Sequence, residues 1–265
     1  MKKTRELIAE NLKLVDLVVE VLDARIPVSS RNPIISELVG DKSKIIILNK
    51  ADLADDNATR EWIEKLSGKE TRVLAMNCNS GDGVKKLLSL LENIRDEKNA
   101  GRERKRPLRM MIVGIPNVGK SSLINRLTGK KAAKTGNKPG VTRGKQWLTL
   151  GSDMMLLDTP GILWPKFEDP KVGLDLAFCG SIKDEIMNIA DLGLELIARL
   201  SELHPDLLCA RYKLDRIEES ALLTMEAIAY KRGFIMAGKR IDYDRTAKTV
   251  IDEFRAGTIG KITLE

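Results

Sequence analysis

The segment from Met110 to Ser122 contains the residue types and the spacing that bind a polyphosphate. Its apolar start, 110–113, predicts a buried strand, and the GIPNVGKS that begins at Gly114 has the spacing G-x-x-x-x-G-K-S. Glycines at these positions allow a tight turn whose N–H groups face phosphates, and the helix that follows adds its N-terminal dipole. The predicted nucleotide contacts in this loop are Asn117, Val118, Gly119, Lys120, Ser121 and Ser122.

Two side chains of this loop have direct chemical roles. Lys120 can reach the β- and γ-phosphates, so we expect it to be a catalytic as well as a binding residue. The Ser121 hydroxyl can bind Mg²⁺, which makes Mg²⁺ the expected cofactor. A glycine-containing turn with an accidental lysine would have the same spacing, but the strand before it and the helix pattern after it favour the phosphate-binding loop.

A second motif, far away in the chain, indicates which base is bound. A strand predicted at 45–48 ends in Asn49, Lys50, Ala51 and Asp52, which is N-K-x-D. The Asp52 carboxylate can accept from both N1–H and the 2-amino group of guanine, a pair that adenine does not offer. By itself the motif fits a strand-ending turn equally well, but together with the phosphate loop it predicts a GTP site. The loops around Asp52 and Lys120 must then face a common pocket.

A third segment follows the strand predicted at 72–76. Residues 77–83, NCNSGDG, resemble the S-A-x-x-G-x-G segment whose N–H groups recognise guanine O6. Asn77 and Cys78 replace the usual Ser and Ala, which is tolerable because the expected contact is mainly with the backbone. A glycine-rich turn before the next helix is the alternative interpretation.

Two later motifs have the pattern of nucleotide-sensing switches. Thr142 ends a Pro-Gly-Val-Thr sequence and is the expected ligand of Mg²⁺ and γ-phosphate in the GTP state, hence a catalytic candidate. Asp158 and Gly161 form D-x-x-G: Asp158 would hold Mg²⁺ through a water, and the Gly161 N–H would meet the γ-phosphate, so Gly161 is both a nucleotide contact and a catalytic candidate. Ile162 follows, where Ras-like enzymes have the glutamine that orients water. Without another water-positioning group, we expect slow hydrolysis.

The elements that position these motifs are short strands that alternate with helices. The strands are predicted at 17–22, 45–48, 72–76, 110–113, 146–150 and 154–157. Residues 95–109 form a polar, basic connection, and beyond Trp164 the pattern predicts helices only. The expected fold class is α/β, a P-loop GTPase fold whose mostly parallel sheet is flanked by helices. We expect this GTP-binding domain to span 1–175 and a small all-α domain to span 176–265.

Composition restricts the partners. The 265 residues carry a formal charge of +7, and residues 93–148 hold 15 Lys and Arg against 3 Asp and Glu. A concentrated basic stripe beside a nucleotide site indicates additional phosphates, so RNA is the leading partner and neither DNA nor a membrane is expected. Within that stripe, 95–109 is either a solvated linker or an RNA contact. Three widely spaced cysteines, and no apolar run of the roughly 18 residues that span a membrane, predict a cytoplasmic protein.

The order of the motifs is unusual, because the guanine-reading residues precede the phosphate loop. A GTPase sheet keeps its arrangement with this order only if the chain is circularly permuted. The order resembles the circularly permuted ribosome biogenesis GTPases of the YlqF/RbgA type, as do the sequences DARIPVSSRNP, NKAD, GIPNVGKSSLINRL, KPGVTRG and LLDTPGILWPKFED. This resemblance extends over nearly the whole chain.

The resemblance implies a GTPase that acts late in assembly of the large (50S) ribosomal subunit. Such a protein would bind the precursor particle and its rRNA in the GTP state, be stimulated by it, and leave after hydrolysis. The C-terminal helices would contact RNA or the ribosome, and Asn117 would help to bind K⁺ during hydrolysis. One departure is that the chain lacks the aromatic-Pro-Gly-His segment whose histidine is a proposed catalytic group in the family.

Two other functions fit parts of the sequence. A regulatory GTP-binding switch with a protein partner would use the same nucleotide motifs. A P-loop ATPase or kinase would use the phosphate loop alone, and N-K-A-D at residues 49–52 disfavours it.

Overall fold

The first unit of the chain alternates helices with the strands of one six-stranded sheet. The computed structural model describes residues 2–129, 146–158, 169–182 and 187–265. The chain divides into two units: Met1–Asp52 with Asp56–Lys166, and Leu53–Asp55 with Phe167–Glu265. In the first unit the helices are α1 Lys2–Leu12, α2 Pro33–Val39, α3 Asp56–Leu66, α4 Val84–Asn99 and α5 Lys120–Thr128. Its strands are β1 Leu17–Asp23, β2 Lys44–Asn49, β3 Thr71–Met76, β4 Leu108–Val113, β5 Gln146–Leu150 and β6 Met154–Asp158.

The strands lie in the order β3-β2-β1-β4-β6-β5, and only the edge strand β5 is antiparallel to its neighbour. This confirms the mostly parallel sheet. From β1 the chain proceeds outward through β2 and β3, and then returns to place β4 on the other side of β1. Ligands of such sheets bind beyond the carboxyl ends of the strands, where the order reverses. That point lies between β1 and β4, so the phosphate loop after β4 is placed as the permuted GTPase arrangement requires.

One face of the sheet is covered by the first two helices. Ile8 and Leu12 of α1 and Ile35 of α2 belong to a buried cluster with Val18 of β1 and Met111 of β4. Each such side chain contributes about 1.5–3 kcal/mol when removed from water. The burial of this face explains why the strand predicted at 17–22 was readable in the sequence as an apolar run.

The basic connection is shorter than predicted, because helix α4 continues to Asn99 and β4 begins at Leu108. Asn99 closes the loop that remains: its Nδ2 donates to the carbonyls of Arg95 and Arg106, and its Oδ1 accepts from Arg106 N at 2.9 Å. A helix rich in exposed charge resembles a linker in composition, which is why the sequence placed its last turn in the connection.

The second unit is mainly helical, as predicted. Its helices are α6 Pro170–Phe178, α7 Ile189–Leu203, α8 Pro205–Tyr212, α9 Ala221–Arg232 and α10 Tyr243–Arg255. The prediction of helices only is wrong at one place, where β7 Ile235–Met236 and β8 Arg240–Ile241 form an antiparallel hairpin. Two-residue strands are too short to show a period of two. The hairpin turns through Gly238 and Lys239, which have φ values of 77° and 62°.

The second unit also includes three residues from the first half of the chain. The carbonyl of Leu53 accepts from Ile262 N at 3.0 Å, and Asp55 N donates to Thr263 Oγ1 at 3.1 Å. These residues directly follow Asp52 of the N-K-A-D motif. Within the described ranges, no helix combines the length and the apolar character needed to cross a membrane.

Candidate functional site

The predicted nucleotide motifs lie at one edge of the sheet. Asn49 ends β2, and the parallel pairing sets it opposite Asp23 at the end of β1 and Met76 at the end of β3. Val113 ends β4, which pairs with β1 on its other side. The carboxyl ends of four neighbouring strands therefore deliver the three motifs to the same place.

Asn49 connects all three motifs. Its Nδ2 donates to the Val118 carbonyl at 2.6 Å, and its Oδ1 accepts from Cys78 N at 2.8 Å. Gly119 allows this approach, since a Cβ at that position would lie 2.1 Å from Asn49 Nδ2. These contacts place the first residue of N-K-A-D directly beside the phosphate loop, although about 70 positions separate Asn49 from Lys120 in the sequence.

The phosphate loop has the backbone that its glycines predict. Gly114 has φ 148°, and a Cβ there would lie 2.5 Å from the Val21 carbonyl oxygen. Asn117 and Gly119 have φ values of 61° and 103°, and α5 begins immediately afterwards, at Lys120. Lys120 is 8% exposed, and its Nζ donates to the Ile115 carbonyl at 2.6 Å. The N-terminus of α5 and this ammonium group together supply the positive charge and the N–H groups that a bound phosphate would need.

The third segment is shaped by the side chain of Asn77. Its Oδ1 accepts from Asn79 N at 2.8 Å and from Ser80 N at 3.0 Å. The Cys78 N–H donates to Asn49, so a guanine O6 would have to share that donor. Burial raises the pKa of the Cys78 thiol to about 12, despite the opposing effect of Arg126, so the group is neutral at physiological pH. A neutral thiol adds no negative charge beside a guanine carbonyl.

Helix α5 is joined to the same segment by Arg126. Its Nε donates to the Cys78 carbonyl at 3.3 Å, and its Nη2 donates to the Asn79 carbonyl. The phosphate loop and residues 77–83 are thus connected on two sides, through Asn49 and through Arg126. This second connection was not predicted, because Arg126 lies among polar positions of a helix inferred from the sequence.

Sequence reasoning missed a buried charged group beside these motifs. Asp23 ends β1; its Oδ1 accepts from Arg25 Nε at 3.0 Å, and its Oδ2 accepts from Arg25 Nη2 at 2.8 Å and from Lys50 Nζ at 2.7 Å. The side chains of Asp23 and Arg25 are 0% and 2% exposed. Burial alone would raise the pKa of Asp23, but the two cations outweigh it and hold the pKa well below its usual range. The available signal was a charged Asp-Ala-Arg directly after an apolar strand.

The predicted metal ligands are described only in part. Ser121 lies half-buried in the first turn of α5, and Asp158 ends β6, which pairs with β4 through Met111 opposite Leu157. Both positions belong to the carboxyl edge of the sheet, and hydroxyl and carboxylate oxygens are ligands that Mg²⁺ prefers. Thr142 and Gly161 lie outside the described residues. Lys50, Ala51 and Asp52 directly follow β2, with Asp52 exposed; Ser122 is half-buried in α5.

A parallel sheet with this loop after one strand and N-K-x-D after a nearby one defines the class of P-loop GTPases. Residues 109–223 match the 50S ribosome-binding GTPase family. The ribosome biogenesis GTPase A of Bacillus cereus is 46% identical over 269 residues, covering 100% of this chain and 91% of that protein. The chain belongs to the ribosome biogenesis GTPase A family.

Two further comparisons agree with this membership. The mitochondrial ribosome-associated GTPase 1 of Mus musculus is 33% identical, covering 100% of this chain and 88% of that protein. The crystal structure of GNP-bound YlqF from T. maritima is 30% identical, with a TM-score of 0.70, and the match covers 99% of this chain and 97% of that one. The similarity therefore includes both units.

Proposed function

We propose that this GTPase acts in late assembly of the large (50S) ribosomal subunit in the cytoplasm. In this proposal it binds the precursor particle and its rRNA in the GTP state and leaves after hydrolysis. The single observation that supports the nucleotide site is the position of Asn49, which bonds both Val118 of the phosphate loop and Cys78 of the third segment. The particle as partner is supported by the names of the relatives.

The base end of the proposed site is formed by the residues after β2 and β3. Asp52 is exposed and would accept from N1–H and the 2-amino group of guanine. Lys50 and Ala51 would flank the base, while Asn77 and Cys78 would supply the segment near O6. Asn49 is the residue that holds these two segments at a fixed distance from the phosphate loop.

The phosphate end is formed by 117–122. Backbone N–H groups of Val118, Gly119 and Ser122 would meet the phosphates, and Lys120 would reach the β- and γ-phosphates, where it neutralises charge in the transition state. Thr142 and Gly161 are proposed to contact the γ-phosphate as switch residues.

Mg²⁺ is the proposed cofactor, held by Ser121, Thr142 and, through water, Asp158. When bound, it neutralises charge on the β- and γ-phosphates. Asn117 is the candidate for binding K⁺, as the resemblance to related GTPases implies, and it is exposed in the phosphate loop.

The first experiment measures GTP turnover with and without large ribosomal subunits, in K⁺ and in Na⁺. We expect slow turnover by the protein alone, because Ile162 cannot orient water, and faster turnover when subunits are added. A requirement for K⁺ would support the role of Asn117. Turnover that large subunits leave unchanged would contradict the proposed partner. Stimulation of hydrolysis by a protein partner instead would favour the regulatory switch.

A second experiment tests the RNA contact. Residues 101–106 are exposed and contain Arg102, Arg104, Lys105 and Arg106. Replacing all four by Gln is expected to weaken binding to large subunits, and to lower the slope of log affinity against log salt by roughly 0.7–0.9 for each lost phosphate contact. The matched control changes four other exposed cations to Gln, namely Lys65, Lys69, Lys85 and Lys86. Equal losses from both sets would contradict a specific basic face.

A further inference from the structure

The loop after β1 has no role in the GTPase site as described so far, although its charge is buried. Its sequence, DARIPVSSRNP, starts at Asp23, and Ser30 closes it by donating to the Ile26 carbonyl at 2.6 Å and accepting from Asp23 N at 3.1 Å. Solvated loops seldom bury an arginine, yet Arg25 is 1% exposed. The loop also follows the strand next to β4, at the point where the strand order reverses. Its location and its charge therefore require an explanation.

Arg25 fixes the carboxylate of Asp23 in one orientation. Nε and Nη2 of Arg25 bond the two carboxylate oxygens at 3.0 and 2.8 Å, and Arg25 N bonds Oδ1 at 3.1 Å. Two parallel bonds from a planar guanidinium determine both the position and the plane of a carboxylate. Asp23 also lies opposite Asn49 in the register of β1 and β2, so its carboxylate has a fixed position beside the N-K-A-D motif.

Lys50 is the side chain that the carboxylate of Asp23 restrains. It has φ 59°, a backbone conformation that residues other than glycine seldom adopt, and its side chain is 20% exposed. Its Nζ bonds Asp23 Oδ2 at 2.7 Å. Lysine side chains have many rotamers and lose that freedom when they bind. A lysine that is held before the nucleotide arrives has already lost it.

We infer that Asp23, fixed by Arg25, is a positioning residue that holds Lys50 in the conformation that receives the guanine base. The inference rests on the proposed function, because it assigns a role within the same GTP site. It differs from a purely structural role in one measurable way: the contribution of Asp23 to nucleotide affinity must depend on the presence of Lys50.

The test is a double-mutant cycle on GDP affinity, measured by calorimetry with the full-length chain. The variants are Asp23→Asn, Lys50→Met and the two together. We expect Asp23→Asn to weaken GDP binding about tenfold when Lys50 is present, and less than about twofold when Lys50 is Met. Glu20→Gln is the matched control, since Glu20 is a second buried carboxylate of β1 whose ion-pair partner is Arg31, at 3.6 Å. It is expected to leave GDP affinity unchanged.

The buried guanidinium requires a second version of the cycle. Asp23→Asn leaves Arg25 without its counter-charge, and circular dichroism will show whether that variant folds. If it does not, Asp23→Asn with Arg25→Met removes both buried charges, and the cycle is run with this pair in place of the single change. Losses of equal size in both Lys50 backgrounds would overturn the inference alone. Failure of the unaltered protein to bind GDP would overturn the proposed function as well.

Discussion

In the described part of each unit, a carboxylate pairs with two cations, and the two groups differ in burial and in the elements that supply their partners. Asp23 accepts hydrogen bonds from Arg25 and Lys50, whereas Glu253 accepts them from Arg211 and Arg232. The side chain of Asp23 is 0% exposed and that of Glu253 is 16% exposed. Both partners of Asp23 lie in the segments that follow two adjacent strands, β1 and β2, whereas the cationic partners of Glu253 come from two other helices, α8 and α9.

The difference shows that a carboxylate paired with two cations can either orient one side chain or join several helices. Glu253 on α10 accepts from Arg211 and Tyr212 of α8 and from Arg232 of α9, so its loss would loosen three helices. Asp23 acts within one edge of the sheet, where the nucleotide motifs meet. Hydrogen bonds and ion pairs at that edge should therefore affect nucleotide affinity. Those in the second unit should affect stability alone.

The largest expected effect comes from Asn49→Ala. The change removes two buried bonds, to Val118 and Cys78, each worth about 1–3 kcal/mol when a partner is left unsatisfied. We expect GDP affinity measured by calorimetry to fall on the order of 100-fold. Asn99→Ala is the control, because Asn99 also bonds the backbone of two segments but is the last residue of α4, in the sequence before β4. If Asn99→Ala weakened GDP binding as much, the special role of the edge would be refuted.

Glu253→Gln is expected to lower stability without altering GDP affinity. Removing the charge weakens bonds to Arg211, Arg232 and Tyr212, with a cost of roughly 2 kcal/mol in denaturant unfolding. A change in GDP affinity would contradict the expectation that the Glu253 ion pairs affect stability alone.

The same variant has a defined pH dependence. Burial raises the pKa of Glu253, but the bonds from Arg211 and Tyr212 and the charge of Arg232 outweigh it, so the folded-state pKa lies below the usual value. A depressed pKa stabilises the fold above the unfolded pKa, near 4.3, and the contribution disappears as the pH falls through the folded value. The stability difference between the natural protein and Glu253→Gln should therefore shrink below about pH 4.3.

A smaller effect is expected where α7 and α10 pack. A Cβ on Gly193 would lie 2.4 Å from Ala247 Cβ and 2.6 Å from its Cα. Gly193→Ala should therefore lower stability by about 1 kcal/mol, although alanine is the better helix former. Gly68→Ala is the control, because a Cβ at Gly68 meets nothing within 4 Å. Thermal melts should show a loss for the first variant only.

The smallest expected effect is that of Cys78→Ala. Cys78 lies at the site, but the bonds it makes to Asn49 and Arg126 use its backbone N and O. GDP affinity should change by less than about threefold, and guanine should still be preferred over adenine, because the side-chain loss is small. A large loss would show that the thiol itself contacts the nucleotide.

The sequence predicted the motifs of the site because each consists of consecutive residues with fixed spacing. Residues 114–121 could be interpreted from their own spacing and context, whereas 49–52 predicted a guanine site only in combination with them, and their common function required the two segments to meet. Strands at 17–22 and 45–48 were visible because strands buried on both faces are continuous apolar runs. The connection at 95–109 was predicted too long, because the exposed last turn of α4 has the composition of a linker.

The residues that only the structure identified act through partners distant in sequence or through geometry. Asp23 looked like the first residue of a polar loop, and nothing local showed that Lys50, 27 positions later, would bond it. The hairpin at 235–241 was invisible because its strands have two residues each.

The sequence by itself determined the class of site, the base that it prefers and the alternation of strands with helices. These depend on residue type and spacing along a single stretch of chain. The tertiary structure decided which loops meet, since Asn49 reaches Val118 only through the pairing of β2 with β1 and of β1 with β4. It also decided that Asp23 is buried and ionised, because both burial and charge pairing depend on neighbours that the fold supplies.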